Sequence, residues 1–263
     1  MKARIGLRRG RTLVAVALAA IVTSALTGSV SAVADGHSGD GIGGIGADHW
    51  GVITRNTIGS PVAALRDGPF GSFGVTGSAS RPPYGNGSLG IEVADDSTSL
   101  TPPSEKVDFG NEVDFYGSRV RDLTKLGFHV FQTGENVGYG GIRNLPNIRF
   151  EINPRLPALP GDTYSTMVWS PPAVAQTNRW SGFLDATTTG DWFLSGNELA
   201  PLCTQSSPCS FTTLRNQLQQ ATILTVAVGK GRDHNWVGAV DGLRINRYVY
   251  DFEADGVRAR RVG

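Results

Sequence analysis

The run Asn147-Ile-Arg-Phe-Glu-Ile152 alternates polar and apolar residues without a break, and a period of two restricts a chain more than any composition does. Successive side chains of a strand point to opposite faces, so Ile148, Phe150 and Ile152 share one face while Asn147, Arg149 and Glu151 share the other. Ser88-Leu-Gly-Ile-Glu-Val93 repeats the pattern through Leu89, Ile91 and Val93. Leu126-Gly-Phe-His-Val-Phe131 sets Leu126, Phe128 and Val130 against His129 and Phe131. Tyr164 to Trp169 and Ile223 to Val228 are more continuously apolar and read as more deeply buried strands. Between these stretches the chain is punctuated by many of its 35 Gly and 14 Pro residues, which suits frequent turns better than a helical bundle. The pattern predicts an all-β fold, an antiparallel β-sandwich with a jelly-roll-like build and one short helix. That helix starts at Ser210 as its cap, carries Phe211, Leu214 and Leu218 on one face, and runs to about Gln220. A closing hairpin is expected where Val240 to Ile245 and Tyr248 to Phe252 flank Asn246-Arg247, since Asn tolerates the positive φ of a tight turn. No repeat of solenoid length is visible.

The N-terminus reads as an export signal. Lys2, Arg4, Arg8, Arg9 and Arg11 precede an apolar run from Thr12 to Leu26, and Ala32-Val33-Ala34 fits a small-x-small cleavage site. Residues 1–34 are therefore assigned to a signal peptide cut after Ala34, with Ala32 as the alternative, and the mature protein is expected outside the cell. The Arg8-Arg9 pair raises twin-arginine export, but the surrounding residues lack the rest of that motif, which favours ordinary secretion. No second long apolar stretch follows, so no membrane span is expected in the mature chain. Residues 35–48 form a Gly-rich linker. Within it, Gly41-x-Gly43-x-x-Gly46 has the spacing of a dinucleotide fingerprint without the strand and helix that the motif requires. The sandwich is placed at 49–254 and a basic, solvated tail at 255–263. With 24 basic and 23 acidic residues there is no general electrostatic reason to expect nucleic acid as a partner.

Cys203 and Cys209 are the two cysteines, in Cys-Thr-Gln-Ser-Ser-Pro-Cys. Export, an even count and a short loop favour a disulfide that braces the entry to the helix. Two thiolates without a neighbouring His leave a zinc site incomplete, and five intervening residues are too many for the usual redox pair.

Chemistry is harder to find. Gly-x-Ser-x-Gly and His-Glu-x-x-His are both missing, and no catalytic residue, metal or cofactor is assigned. Glu92, Asp95, Asp96, Asp108, Glu112 and Asp114 supply carboxylates for a glycosidase pair, but no compact motif singles out two of them. Asp95-Asp96 offers hard oxygen ligands to calcium without the full loop around them, and a solvated turn is the better account. Trp50, Trp169, Trp180 and Trp192 are expected in the core or at its rim. The loop Gly229-Lys-Gly-Arg-Asp-His-Asn-Trp236 carries the ligand-binding candidates Arg232, Asp233, His234, Asn235 and Trp236. An aromatic face covers a pyranose while amide and carboxylate groups bond its hydroxyls. Asp233-His234 also suits a catalytic dyad whose Ser the sequence does not place. A solvent-exposed loop with Trp236 plugging the core is the plainer alternative.

Several short motifs in order give the chain a resemblance. They are Pro83-Tyr-Gly-Asn-Gly-Ser-Leu89, Leu145-Pro-Asn-Ile-Arg-Phe150, Thr166-Met-Val-Trp-Ser-Pro171, Trp180 to Asp185-Ala186, and Trp192. The Cys203 to Cys209 run, Ala221-Thr-Ile223, Val240-Asp-Gly-Leu243 and Tyr250-Asp-Phe-Glu253 continue the series. Over roughly 50 to 253 the chain resembles a recurrent extracellular β-sandwich domain of bacterial secreted and surface proteins. The resemblance implies a jelly-roll-like sandwich in adhesin-like settings and carries over no catalytic residues. Together these readings favour a secreted, non-enzymatic binding protein for carbohydrate or cell-wall polymer. The alternatives are an extracellular polysaccharide hydrolase or lyase, and a structural envelope or matrix protein without a small ligand.

Overall fold

A computed structural model of the protein describes residues 47–69, 74–96, 99–156, 163–196 and 202–263. The expected signal peptide, its cleavage site and nearly all of the Gly-rich linker lie outside the described residues. In chain order the elements are β1 (Trp50–Val52), β2 (Val62–Asp67), β3 (Gly87–Val93), β4 (Val107–Asn111), β5 (Leu126–Gln132), α1 (Gly134–Gly140), β6 (Asn147–Asn153) and β7 (Ser165–Ser170). They continue with β8 (Arg179–Trp180), β9 (Leu184–Asp185), β10 (Asp191–Ser195), α2 (Phe211–Gln217), β11 (Thr222–Lys230), β12 (Trp236–Ile245), β13 (Tyr248–Glu253) and β14 (Gly256–Arg261).

The strands form two antiparallel sheets. One has six strands in the order β1-β4-β11-β6-β7-β10. The other has eight, running β14-β13-β12-β3-β2, with β5 on the far side of β12 and the short β8 and β9 beyond β5. Alternation makes this packing possible. Ile148, Phe150 and Ile152 of β6 are fully buried, as are Leu89 and Ile91 of β3 and Leu126, Phe128 and Val130 of β5. These side chains meet in one core that also takes Trp169, Trp192, Trp236, Tyr250 and Phe252. Burying such large side chains stabilises the sandwich by roughly 1.5–3 kcal/mol each before chain entropy is counted.

β12 departs from strict alternation. Val240, Leu243 and Ile245 all join the same core, which a regular strand cannot achieve across a spacing of three. The register against β5 shifts between Asp241 and Arg244, and Gly242 takes a positive φ of 63°. A bulge with Gly in the left-handed region restores the inward face and leaves Asp241 buried but outside the main core cluster.

Ser210 caps α2 as expected, its hydroxyl accepting the Thr213 N–H at 3.2 Å. The helix ends at Gln217, three residues short of the expected stop, and Leu218 and Ala221 are buried as the chain turns into β11. Cys203 and Cys209 are bonded, with Cα atoms 5.4 Å apart. The loop they close does more than brace the helix. Leu194 donates to the Cys203 carbonyl, and Trp192 and Cys209 exchange backbone hydrogen bonds. The loop therefore covers the free side of edge strand β10.

Two stretches differ from the sequence reading. Residues 255–263, expected as a solvated basic tail, supply β14, whose Gly256 to Arg261 pair with Glu253 to Tyr248 of β13. The Asn246-Arg247 hairpin forms as expected, with Asn246 at φ 53°, but it is followed by a further hairpin and does not close the domain. Helix α1 was also unforeseen, because its sequence Gly-Glu-Asn-Val-Gly-Tyr-Gly has poor intrinsic propensity. A tertiary contact fixes it: buried Asn136 donates to the Val237 carbonyl at 2.7 Å and accepts the Val237 N–H at 2.9 Å.

Candidate functional site

The polar half of the β6 alternation forms the floor of an open groove of about 400 Å³ on the outer face of the six-stranded sheet. Strand register builds it in rows. The middle row runs Gly110, Ala227, Arg149, Val168 and Phe193 across β4, β11, β6, β7 and β10. On one side lie Thr225, Glu151, Thr166 and Ser195, and on the other Asp108, Gly229 and Asn147. Small residues on β11 make the depression, and longer side chains from β6 and β4 stand in it.

Gly229 has a specific task. Asp108 and Arg149 sit on strands separated by β11, yet Arg149 Nη1 donates to Asp108 Oδ1 at 2.8 Å. The Asp108 carboxylate leans over Gly229, where an added Cβ would collide with it. Lys106 Nζ approaches the other Asp108 oxygen at 3.5 Å. Arg149 Nη2 reaches Asn147 Oδ1 at 3.5 Å, while the buried Arg149 Nε has no hydrogen-bond partner.

At the opposite end Glu151 is surrounded by donors. Asn56 Nδ2 and the Tyr164 hydroxyl each donate to Glu151 Oε1 at 2.8 Å, and Arg55 pairs with Glu151 Oε2 and with Glu112. Burial pushes the Glu151 carboxyl up, but donation from Asn56, Tyr164 and Thr225 and the charge of Arg55 outweigh it and hold the group below its usual range. Burial and the same carboxylate raise the Tyr164 hydroxyl. Glu151 is thus kept ionised, the wrong state for a general acid at neutral pH.

The five candidates of the 229–236 loop scatter. Arg232 and Asp233 line the Asp108 end of the groove. Arg232 donates to the Ser104 carbonyl at 2.9 Å and to the Pro102 carbonyl, and Asp233 pairs with the buried Lys230. His234 is exposed beside α1, where a Cβ on Gly140 would strike its ring. Asn235 is spent on structure, accepting the Asp95 N–H through its side chain and the Asn144 amide at 2.8 Å through its carbonyl. Trp236 is completely buried in the core and presents no ring face to a sugar. The chain enters β12 at this residue, and inward alternation takes the indole with it.

The other carboxylates are dispersed. Glu92 and Asp96 are exposed, Glu112 pairs with Arg55, and Asp114 holds His49 at 2.9 Å and Asn111 at 2.6 Å. Among the described residues no group of three or more His, Cys, Asp or Glu is placed to hold a metal ion. Trp169 and Trp192 are core residues, and Trp50 and Trp180 are partly exposed at its rim.

A second set of acids lies on the eight-stranded sheet, against the turn around Gly85. Asp241 accepts the backbone N–H groups of Tyr84 and Phe252, each at 3.1 Å, and Glu253 accepts that of Asn86 at 3.1 Å. Gly85, at φ 52°, leaves room that a side chain would take from the Glu253 carboxylate. Asp251 receives Arg260 at 2.6 Å on one oxygen and has no partner for the buried other one. Burial, with a smaller push from Asp251, outweighs three backbone donors and raises Asp241 to about 7. Burial and Glu253 also raise Asp251 against the pull of Arg260 and Arg258.

The sequence had marked Arg149 and Glu151 as outward-facing, but outward charges on a strand are ordinarily solvated. Only the neighbouring strands, brought together from distant parts of the chain, turn them into a groove. No family model matches the chain, and no curated protein and no solved structure matches it.

Proposed function

We propose that this is a secreted, non-enzymatic binding protein for a polysaccharide or cell-wall polymer, which lies in the groove of the six-stranded sheet. The observation that carries the reading is the row structure of that groove. Its middle row sets Ala227 on one side of Arg149 and Val168 and Phe193 on the other, an interrupted apolar strip with hydrogen-bonding side chains on both margins. A pyranose has an apolar face and an equatorial ring of hydroxyls, and such a strip with polar margins complements both. Tyr164, 48% exposed, adds a second aromatic surface at the Glu151 end. The groove is open to solvent and not an enclosed cavity, which leaves room for a polymer chain. Held ionised, Glu151 is not the general acid that hydrolysis of a glycosidic bond also requires. Export is supported by the N-terminal sequence and by the Cys203–Cys209 bond, which persists in oxidising compartments. Relative to the sequence reading, the contact surface moves from Trp236 to Phe193, Tyr164 and Arg149.

The test is co-sedimentation with insoluble polysaccharides and purified cell walls. Selective retention of the wild-type protein, lost in Phe193→Ala while the melting temperature is unchanged, is the expected result. Release of soluble sugar would instead favour a hydrolase or lyase. Retention on no polymer would sink the reading and favour a structural role.

A further inference from the structure

We infer that the groove takes an uncharged glycan, seated on Phe193 and held by Ser170, Ser195 and Gln205, and discriminates against polymers that carry carboxylates. The inference rests on the binding reading above and adds the charge class of the ligand. The charged side chains lining the groove balance, with Lys106, Arg149 and Arg232 against Asp108, Glu151 and Asp233. Each is also committed inside the protein. Arg149 and Lys106 share Asp108, at 2.8 and 3.5 Å, and Arg55 holds Glu151. Asp233 pairs with buried Lys230, and Arg232 donates to the Pro102 and Ser104 carbonyls. A charged group entering the groove would have to draw one of these away from its partner. An ion pair broken from one side leaves an uncompensated charge, which is costly where the partner is buried, as Asp108 is.

The uncommitted polar groups are of another kind. Ser170, Ser195 and Gln205 line the groove, and their side chains make no hydrogen bond among the described residues. Other neutral groups there are engaged: Asn56 and Tyr164 donate to Glu151, and Asn147 to the Trp169 carbonyl. The three free side chains gather around Phe193. Register sets Phe193 against Val168, with Ser170 two residues from that row on β7 and Ser195 two residues from it, on the other side, on β10. Residues two apart on a strand share a face, so the partly exposed Phe193 ring stands between two hydroxyls. Gln205 is exposed on the disulfide-closed loop that covers β10. A pyranose laid on Phe193 covers the ring with its apolar face. Serine hydroxyls and a carboxamide both donate and accept, so they match sugar hydroxyls in either sense. None of them carries the charge that would reward an anionic oxygen over a neutral one.

The experiment titrates the protein calorimetrically with a soluble β-glucan and a soluble mannan, each beside a derivative whose primary hydroxyls are oxidised to carboxylates. The expected result is binding of a neutral polymer about tenfold or more tighter than its oxidised form. That affinity should change by about twofold or less between low and moderate salt, since no charge is exchanged with the ligand. Gln205→Ala removes an exposed side chain and should weaken neutral binding about three- to tenfold, one hydrogen bond, at an unchanged melting temperature. Equal or tighter binding of the oxidised form, a steep loss of affinity with salt, or no effect of Gln205→Ala overturns this inference while the binding reading stands. No binding of any polymer, neutral or oxidised, overturns both.

Discussion

The outer faces of the two sheets both bury carboxylates, and Asp108 and Glu151 on one are held by opposite means from Asp241 on the other. On the six-stranded face Asp108 and Glu151 meet guanidinium and ammonium groups: Arg149 and Lys106 for the first, Arg55 for the second. On the eight-stranded face Asp241 accepts backbone N–H groups from Tyr84, Phe252 and Gly242, and burial lifts it to about 7. A charge out of water needs either a counter-charge or a proton. The first solution fixes paired charges in an open groove and leaves its neutral polar groups available to a ligand. The second leaves an acid that gains or loses its proton near neutral pH beneath a turn, which ties the Tyr84 to Asn86 backbone down and makes its strength depend on pH. The ion-paired face is suited to recognition, and the proton-bearing face to closure.

The comparison breaks most visibly at Arg149. Arg149→Met keeps much of the volume and removes the cation, leaving Asp108 beside Lys106 alone. Breaking a buried pair from one side costs about 3–5 kcal/mol, which denaturant unfolding would read. A loss under about 1 kcal/mol would mean that water already serves these groups and that the groove is wetter than its hydrogen bonds imply.

Next in size is the pH dependence of the other face. Asp241 binds its proton more tightly folded than unfolded, so its penalty is nil below about pH 4, grows through the window up to about 7, and is complete above it. The span corresponds to at most about 4 kcal/mol, and Asp251, raised for the same reason, adds to the trend. Thermal melts between pH 5 and 8 should fall as pH rises. Asp241→Asn should flatten that slope even though its amide, with one acceptor oxygen for several donors, lowers stability at pH 5. An unchanged slope in Asp241→Asn would show that this acid is ionised throughout and satisfied by its backbone donors.

Reducing the Cys203–Cys209 bond is a smaller perturbation with a directional readout. A ring this short contributes roughly 2 kcal/mol through loop entropy. The loop covers β10, which carries Phe193, so reduction should lower overall stability and weaken groove binding while leaving the pH slope set by Asp241 intact. A reduced protein with altered pH slope and normal binding would reverse that assignment.

These two faces also mark what was legible in the chain. Alternation located β3, β5 and β6 because each has one apolar side, and Ser210 was readable as a cap because its chemistry is local. β4 was not readable: Val-Asp-Phe-Gly-Asn is buried on both sides, and its polar residues find partners far away in sequence. β14 was hidden by its arginines, which suit an edge strand as well as a frayed tail. The groove needs Asp108, Arg149 and Gly229 to be neighbours, a fact of register between distant segments. Trp236 misled for a related reason, since a loop rich in polar residues ends where a buried strand begins.

The smallest prediction separates the faces most cleanly. Tyr164→Phe removes one donor from Glu151 and leaves Asn56, Thr225 and Arg55 in place. The expected cost is about 0.5–1.5 kcal/mol at neutral pH. Glu151 is held below its ordinary range, so its stabilisation is present above that range and disappears as pH falls through its folded value. Weakening this depression should shrink the acid limb of the stability curve and leave the neutral limb, which belongs to Asp241, where it was. Melts of wild type, Tyr164→Phe and Asp241→Asn from pH 3 to 8 would then show each limb moving with one face. If Tyr164→Phe shifts both limbs, the two sets of acids are coupled through the core, and the division between a recognising face and a closing face does not stand.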